Sequence, residues 1–246
     1  MKILIHNYSS ETCTEPLYLA QGFRDKKIRT HLWNNECSAF DVFDEHEPDV
    51  FIANYMRFDK DVLKRLKGSN THTLLNVTGP NVNKEFISDS LDGKVTFFQN
   101  YNINPGTFVL SPCADIYVKE NVRLETPEYK INTLYVVDNP KDLDLIKPLS
   151  DKLATFHVAS TNKKMLEHEE CDVYLSSAQL SAIYEKYDEV VVTKPNQIFY
   201  DAAYYNGRCG ICNGKEISNF LEKRVVKSSH VPYNRVEQLL NYLEKK

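Results

Sequence analysis

The sequence predicts an α/β fold with two Rossmann-like domains facing a cleft, on three observations. Short apolar runs alternate with amphipathic stretches along most of the chain, the pattern of parallel βαβ units with helices on both faces. That alternation breaks once, across residues 101–130, where Asn102, Asn104, Pro105, Gly106, Pro112 and Pro127 gather. The 246 residues, 42% hydrophobic and 26% charged, are enough for one large or two small soluble domains. The expected division is a first domain over 1–111, a connector over 112–126 and a second domain over 127–246.

The elements follow in order. Lys2 to His6 is an apolar run ending in a polar loop, the signature of a buried first strand. Leu17, Leu19, Ala20 and Phe23 make Pro16 to Lys26 a helix, and Thr30 to Trp33 a second strand follows. A helix over Ser38 to His46, a strand over Asp49 to Ala53 and a basic-faced helix over Asp59 to Lys67 continue the rhythm. His72 to Val77 is a strand ending at Thr78-Gly79-Pro80-Asn81, before a helix at Lys84 to Leu91 and a strand at Lys94 to Phe98. Phe108 to Leu110 reads as one short strand inside the connector region.

The alternation restarts with a strand at Thr133 to Val137, a helix at Lys141 to Leu153 and a strand at Ala154 to Val158. A helix near Asn162 to Glu169, a strand at Val173 to Leu175, a helix at Ala178 to Tyr187 and a strand at Glu189 to Val192 come next. The stretch PNQIFYDAAYYNGRCGI, residues 195–211, then carries its own grammar. Asn196 is an N-cap, Ile198, Phe199, Ala202 and Ala203 form a buried stripe, and Asn206-Gly207 stops the helix. Asp201 is expected on the flank of that stripe. Arg208 to Cys212 reads as a strand, and helices near Glu216 to Lys223 and Asn234 to Lys246 close the chain.

Composition narrows the function. A net charge of -4 gives no global basic field toward nucleic acid or anionic membrane. No apolar run approaches the roughly 20 residues of a membrane span. MKILIHNYSS is too short and too quickly polar for a secretory leader, so a cytoplasmic location is expected. The six cysteines are scattered, as suits a reduced compartment. His168-x-x-Cys171 with Cys209-x-x-Cys212 imitates a zinc site, but residues three apart on a strand face opposite ways, so no metal is expected. No G-x-G-x-x-G follows the first strand, and only 8 glycines are present, which leaves dinucleotide and P-loop readings without support.

Ligands of such sheets bind beyond the carboxyl ends of the strands. The candidate loops are therefore His6 to Glu15, Asn54 to Phe58, Thr78 to Asn81, Asn100 to Pro105, Asp138 to Lys141, Ser160 to Lys164 and Thr193 to Gln197. Of these, the Thr193 to Gln197 loop opens the helix that carries Asp201.

That helix resembles the donor-site segment of small GT-B glycosyltransferases, including spore-maturation-like members, in which an aromatic residue, an acid and small residues precede glycine and an apolar strand. The counterpart here is Tyr200-Asp201-Ala202-Ala203-Tyr204-Tyr205-Asn206-Gly207. Asp41-Val42-Phe43 to Pro48-Asp49-Val50 and Pro127-Glu128-Tyr129-Lys130 are similar to further steps of that family. Asp stands for the usual Glu, Tyr204 for a small residue and Asn206 for a glycine, while Asp138-Asn139 stands where many relatives have glycine.

The resemblance implies transfer of a hexose or pentose from a nucleoside diphosphate sugar to an acceptor hydroxyl, independent of metal and cofactor. It implies that Asp201 and Tyr200 contact the nucleotide-sugar, that Asn196 and Gln197 at the helix start meet the diphosphate, and that Lys194 neutralises the leaving phosphate. Lys163 either reaches the phosphates or is a solvated helix start. The acceptor needs a general base; His6, Glu11 and Glu15 are available, with His6 either the base or a histidine closing its strand. Acceptors in view are a glycan, a protein or a hydroxylated base in phage DNA. The last would use Arg24, Lys26, Lys27 and Arg29, or Arg57, Lys60, Lys64 and Arg65, on phosphates. Enrichment in Asn, Lys and Tyr is what a low-GC bacterium or a virus produces; for a virus the compartment is the host cytoplasm. The competing reading is an inactive GT-B-like module that holds a nucleotide or sugar without turnover.

Overall fold

Each expected apolar run becomes a strand, and almost every strand pairs in parallel. The computed structural model describes residues 1–9, 14–77, 82–100, 107–117, 133–150 and 156–245. Two units emerge: Met1–Ser9, Glu15–Ser111 and Tyr233–Lys246 form the first, and Ser10–Thr14 with Pro112–Pro232 the second. The expected second domain, 127–246, is not coextensive with the latter, because the last helix belongs to the first unit.

In the first unit the order is β1 (Lys2–His6), α1 (Glu15–Asp25), β2 (Arg29–Trp33), α2 (Ala39–His46), β3 (Val50–Asn54), α3 (Lys60–Leu66), β4 (His72–Asn76), α4 (Lys84–Ser90), β5 (Val95–Gln99) and β6 (Phe108–Val109). The sheet runs β2-β1-β3-β4-β5-β6 with every pair parallel. Helix starts are set by polar caps: Ser38 accepts from the Asp41 amide, Asp59 from Asp61 and Val62, and Asn83 from Phe86. Leu4, Phe51, Val62, Leu75 and Ile87 fill one core between sheet and helices. The C-terminal helix, Pro232–Leu243, joins this unit through Phe108 against Tyr242 and through Lys26, which lies 3.7 Å over the Tyr233 ring and 3.6 Å from Glu237.

The second unit runs β7 (Thr133–Val137), α5 (Pro140–Ser150), β8 (Phe156–Ser160), β9 (Val173–Tyr174), α6 (Ser177–Ile183), β10 (Glu189–Val192), α7 (Gln197–Asn206), β11 (Arg208–Cys212), β12 (Ile217–Glu222) and α8 (Lys223–Ser229). Its sheet order is β12-β11-β10-β7-β8-β9, parallel except for β12 against β11. The stripe of α7 is buried as expected, with Ile198, Phe199, Ala202 and Ala203 in one core with Leu134, Val190 and Cys209. Asn196 caps α7 through the Phe199 amide, and Gly207 ends it at φ 104°, in the left-handed region.

Three expected elements change. Glu216 to Lys223 is not a helix but the antiparallel edge strand β12, although Ile217, Phe220 and Leu221 have helical spacing. A Cβ on Gly210 of β11 would stand 2.5 Å from Ile217 and 2.7 Å from Phe220, so the bare glycine lets this strand lie close. Arg208 holds its guanidinium 3.6 Å over the Phe220 ring. Pairing thus overrides local pattern. The helix near Asn162 to Glu169 is a short 3₁₀ turn, Lys163–Glu167, and the helix at Ala178 to Tyr187 tightens to 3₁₀ from Tyr184. Thr78 to Asn81, residues 101–106 and Pro127 to Lys130 lie outside the described residues.

Candidate functional site

In the second sheet β7 lies between β8 and β10, so the chain leaves β7 on one side and returns to its other side. This reversal is the switch point at which open α/β sheets bind ligands, beyond the carboxyl ends of the strands. Val136 pairs with Val192 and Val137 with Ser160, which brings residues 138, 161 and 193 together at those ends.

A polar network occupies the place. Asn139, Pro140 and Asp142 open α5, the Asp142 Oδ2 accepting from the backbone amides of Asp138 at 2.9 Å and Asn139 at 3.1 Å and the Asn139 Oδ1 from the Lys141 amide at 3.1 Å. Asp142 Oδ1 accepts the Thr193 hydroxyl at 2.8 Å, tying the loop after β10 to the start of α5. Asp138 Oδ1 accepts the Thr161 hydroxyl at 2.7 Å, and its Oδ2 accepts Asn196 Nδ2 at 3.2 Å. Lys194 Nζ lies 3.4 Å from the same Oδ2, with its side chain 47% exposed against 19% for Asp138. Asn162 Nδ2 closes the ring on the Asp138 carbonyl at 3.0 Å. The arrangement presents one accessible cation and one held carboxylate beside the first turn of α7.

Asp201 is elsewhere and differently placed. It is buried at 2% exposure, not on the flank of the stripe, because α7 packs that side against residues 114–117. Its Oδ1 accepts the Asp115 backbone amide at 2.6 Å, and Gln197 Nε2 lies 3.4 Å from Oδ2. Burial pushes its carboxyl well above the ordinary range, against the pull of the Asp115 amide. An acceptor so enclosed and engaged braces the chain at Asp115; this corrects the expected position on the flank of the stripe. Gln197 is buried as well: its side-chain oxygen accepts the Thr14 amide at 2.9 Å and its Nε2 donates to the Thr14 hydroxyl at 2.6 Å. That hydroxyl donates in turn to Asp115 Oδ2 at 2.6 Å. Tyr200 is half-buried, its ring 4.8 Å from that of His230. Lys163 is exposed at the head of the 3₁₀ turn.

In the first unit, His6 ends β1 as expected but is 3% exposed. Its ring stacks on Trp33 at 4.4 Å and its Nε2 donates to Asn35 Oδ1 at 2.7 Å, the contacts of a histidine that closes a strand. Glu15 is buried under Tyr8, whose hydroxyl donates to it at 2.5 Å, and Asn76, at 2.9 Å; burial raises its carboxyl. Glu11 and Cys13 lie outside the described residues. Of the two basic clusters, Lys26, Lys64 and Arg65 pair with Glu237, Asp61 and Asp44 of their own unit.

Cys209 and Cys212 point to opposite sides of the second sheet, one into the core with Ala202 and the other into the core with Cys171. No group of three or more His, Cys, Asp or Glu among the described residues is arranged around a common metal position. No described helix is long and apolar enough to cross a membrane.

The residues that reading along the chain passed over are Asp138, Asp142 and Thr161. Asp138 and Thr161 lie in loops that stood among the candidates, and Asp142 in the helix expected after the first of them; the available signal was Asn-Pro-x-Asp directly after a strand.

No protein-family model and no curated protein matches the chain. Among solved structures, spinosyn forosaminyltransferase SpnP aligns over 99% of this chain and 99% of its own, with 8% identity and a TM-score of 0.54. A glycosyltransferase from Rickettsia africae ESF-5 aligns over 78% and 73%, with 11% identity and a TM-score of 0.48. Streptomyces sp. SF2575 glycosyltransferase SsfS6, complexed with thymidine diphosphate, aligns over 82% and 78%, with 13% identity and a TM-score of 0.43. The assignment of fold rests on SpnP: two Rossmann-like α/β units, a GT-B-like fold.

Proposed function

We propose that this protein is a glycosyltransferase that moves a sugar from a nucleoside diphosphate sugar to an acceptor hydroxyl. The observation that carries the reading is the exposed Lys194, which stands where β10 meets β7 at the switch point and beside the capped start of α7. There an ammonium group and the positive end of a ten-residue helix would meet the charge that develops on a leaving diphosphate. Asn196 holds the helix start, and Lys163, exposed in the turn after β8, is a further candidate cation. Positive charge from the chain itself supports transfer independent of metal and of cofactor. Glu11, in the segment after β1, is the base of this proposal, since His6 is packed. Internal pairing of Lys26, Lys64 and Arg65 favours a glycan or protein acceptor over a hydroxylated DNA base.

The test is incubation with UDP-, GDP-, ADP- and dTDP-sugars, following release of free nucleoside diphosphate, with calorimetric titration of each nucleotide. Slow hydrolysis of one donor class is expected. A nucleotide that binds but is never released from its sugar would instead assign a binding module. Failure of every nucleotide to bind would end the reading.

A further inference from the structure

We infer that the Asp138 carboxylate is the hydroxyl-recognising group of this site, taking a ribose or sugar hydroxyl in place of the enclosed Asp201; the inference rests on the nucleotide-sugar reading above.

Asp138 is held from three loops at once. Thr161 from the end of β8 donates to Oδ1, Asn196 and Lys194 from the end of β10 reach Oδ2, and its own backbone is fixed by Asp142 through the amide and by Asn162 through the carbonyl. A carboxylate offers about four lone-pair directions. Thr161 takes one on Oδ1 and Asn196 one on Oδ2, where Lys194 is also ion-paired, which leaves a direction open on Oδ1 of a side chain still 19% exposed. Such an oxygen is pre-oriented, so a ligand that binds it does not bear the cost of ordering it.

Chemistry selects the occupant. A carboxylate accepts and never donates, so its partner brings a hydrogen. A phosphate oxygen brings negative charge instead and is repelled at contact distance. A divalent cation needs several oxygens, and the nearest other carboxylate, Asp142, already accepts the Thr193 hydroxyl on one oxygen and three N–H groups on the other. A neutral hydroxyl fits, and Lys194 at 3.4 Å is left to face the adjoining phosphate. The site then reads as a carboxylate for the diol and an ammonium for the diphosphate, side by side at the switch point.

The competing role for Asp138 is a latch that only neutralises Lys194 until an anion displaces it. The two roles have opposite signs. Binding of UDP, GDP and ADP, of their 2′,3′-dideoxy counterparts, and of UDP-glucose and GDP-mannose is to be measured on the wild type, Asp138→Asn and Lys194→Ala. The wild type is expected to prefer the ribonucleotide by about 10–100-fold, the range for a charge-assisted hydrogen bond. Asp138→Asn should erase that preference and leave the dideoxy compounds unchanged, while Lys194→Ala weakens both alike. If Asp138→Asn instead weakens only the nucleotide-sugars, the hydroxyl recognised is the transferred sugar's. Tighter or unchanged binding of every compound to Asp138→Asn overturns the inference and leaves the proposed function standing. Absence of any nucleotide binding to the wild type overturns both. Should the Asn variant not fold, the comparison of ribo and dideoxy compounds on the wild type remains decisive, since equal affinity there and no gain from the sugar refutes a hydroxyl contact.

Discussion

The backbone amide of Asp115 donates to Asp201 Oδ1 across 2.6 Å, inside a cluster that excludes water from both residues. This bond joins the middle of α7 to the segment 107–117 and gives the acid of the donor-like helix a mechanical task. Removing the acceptor leaves a buried N–H without a partner. Asp201→Ala should therefore cost about 1–3 kcal/mol of stability, measured by urea unfolding. A variant as stable as the wild type would show that the amide finds another acceptor.

The same acid makes stability depend on pH. Its carboxyl lies well above the ordinary 3.8, so the folded chain binds this proton more tightly than the unfolded chain. The stabilisation is complete below that ordinary value and is lost as pH rises through the folded value, with a slope of up to about 1.4 kcal/mol per pH unit. Asp201→Asn keeps an acceptor and has no proton to lose. Its stability should fall less steeply as pH rises above the ordinary 3.8. Some slope persists, because burial also raises the Asp115 carboxyl. Parallel curves for the two proteins would contradict this.

Lys194 is half-exposed and its pair with Asp138 is a surface interaction, worth about 0–1 kcal/mol. Lys194→Ala should leave the melting temperature nearly unchanged and weaken nucleoside diphosphate binding about tenfold, with a shallower dependence on salt. Loss of stability with unaltered affinity would make Lys194 a structural partner of Asp138.

His6 fills space between Trp33 and Asn35. His6→Ala should destabilise the protein by about 2–5 kcal/mol, as large buried side chains do, and spare turnover in the fraction that stays folded. Transfer lowered by about 10²-fold or more at unchanged stability would restore His6 as the base.

Gly210 faces Ile217 and Phe220 across the β11–β12 pair. Gly210→Ala forces a methyl group into that contact and should cost about 1–3 kcal/mol, the range for overpacking. An unchanged unfolding midpoint would mean that the edge strand moves away without penalty.

The sequence by itself determined the alternation of strands and helices and the grammar of α7. Those features are local: Asn196 caps within one turn, Gly207 stops within one residue, and apolar periodicity marks which face turns inward. It also marked the loops after β7, β8 and β10 as candidate sites. Only the tertiary structure decided what occupies them. Asp138, Thr161, Lys194 and Asn196 meet because β7 lies between β8 and β10, and that order is a property of strand pairing across up to 58 positions of chain. Likewise, nothing within α7 says that Asp201 faces Asp115, 86 residues away, nor that Gly210 admits Ile217 and Phe220 as an edge strand instead of a helix. A side chain at the boundary of a helical stripe is buried or exposed according to what packs beside it, and pairing across a sheet decides between conformations that local spacing leaves nearly equal.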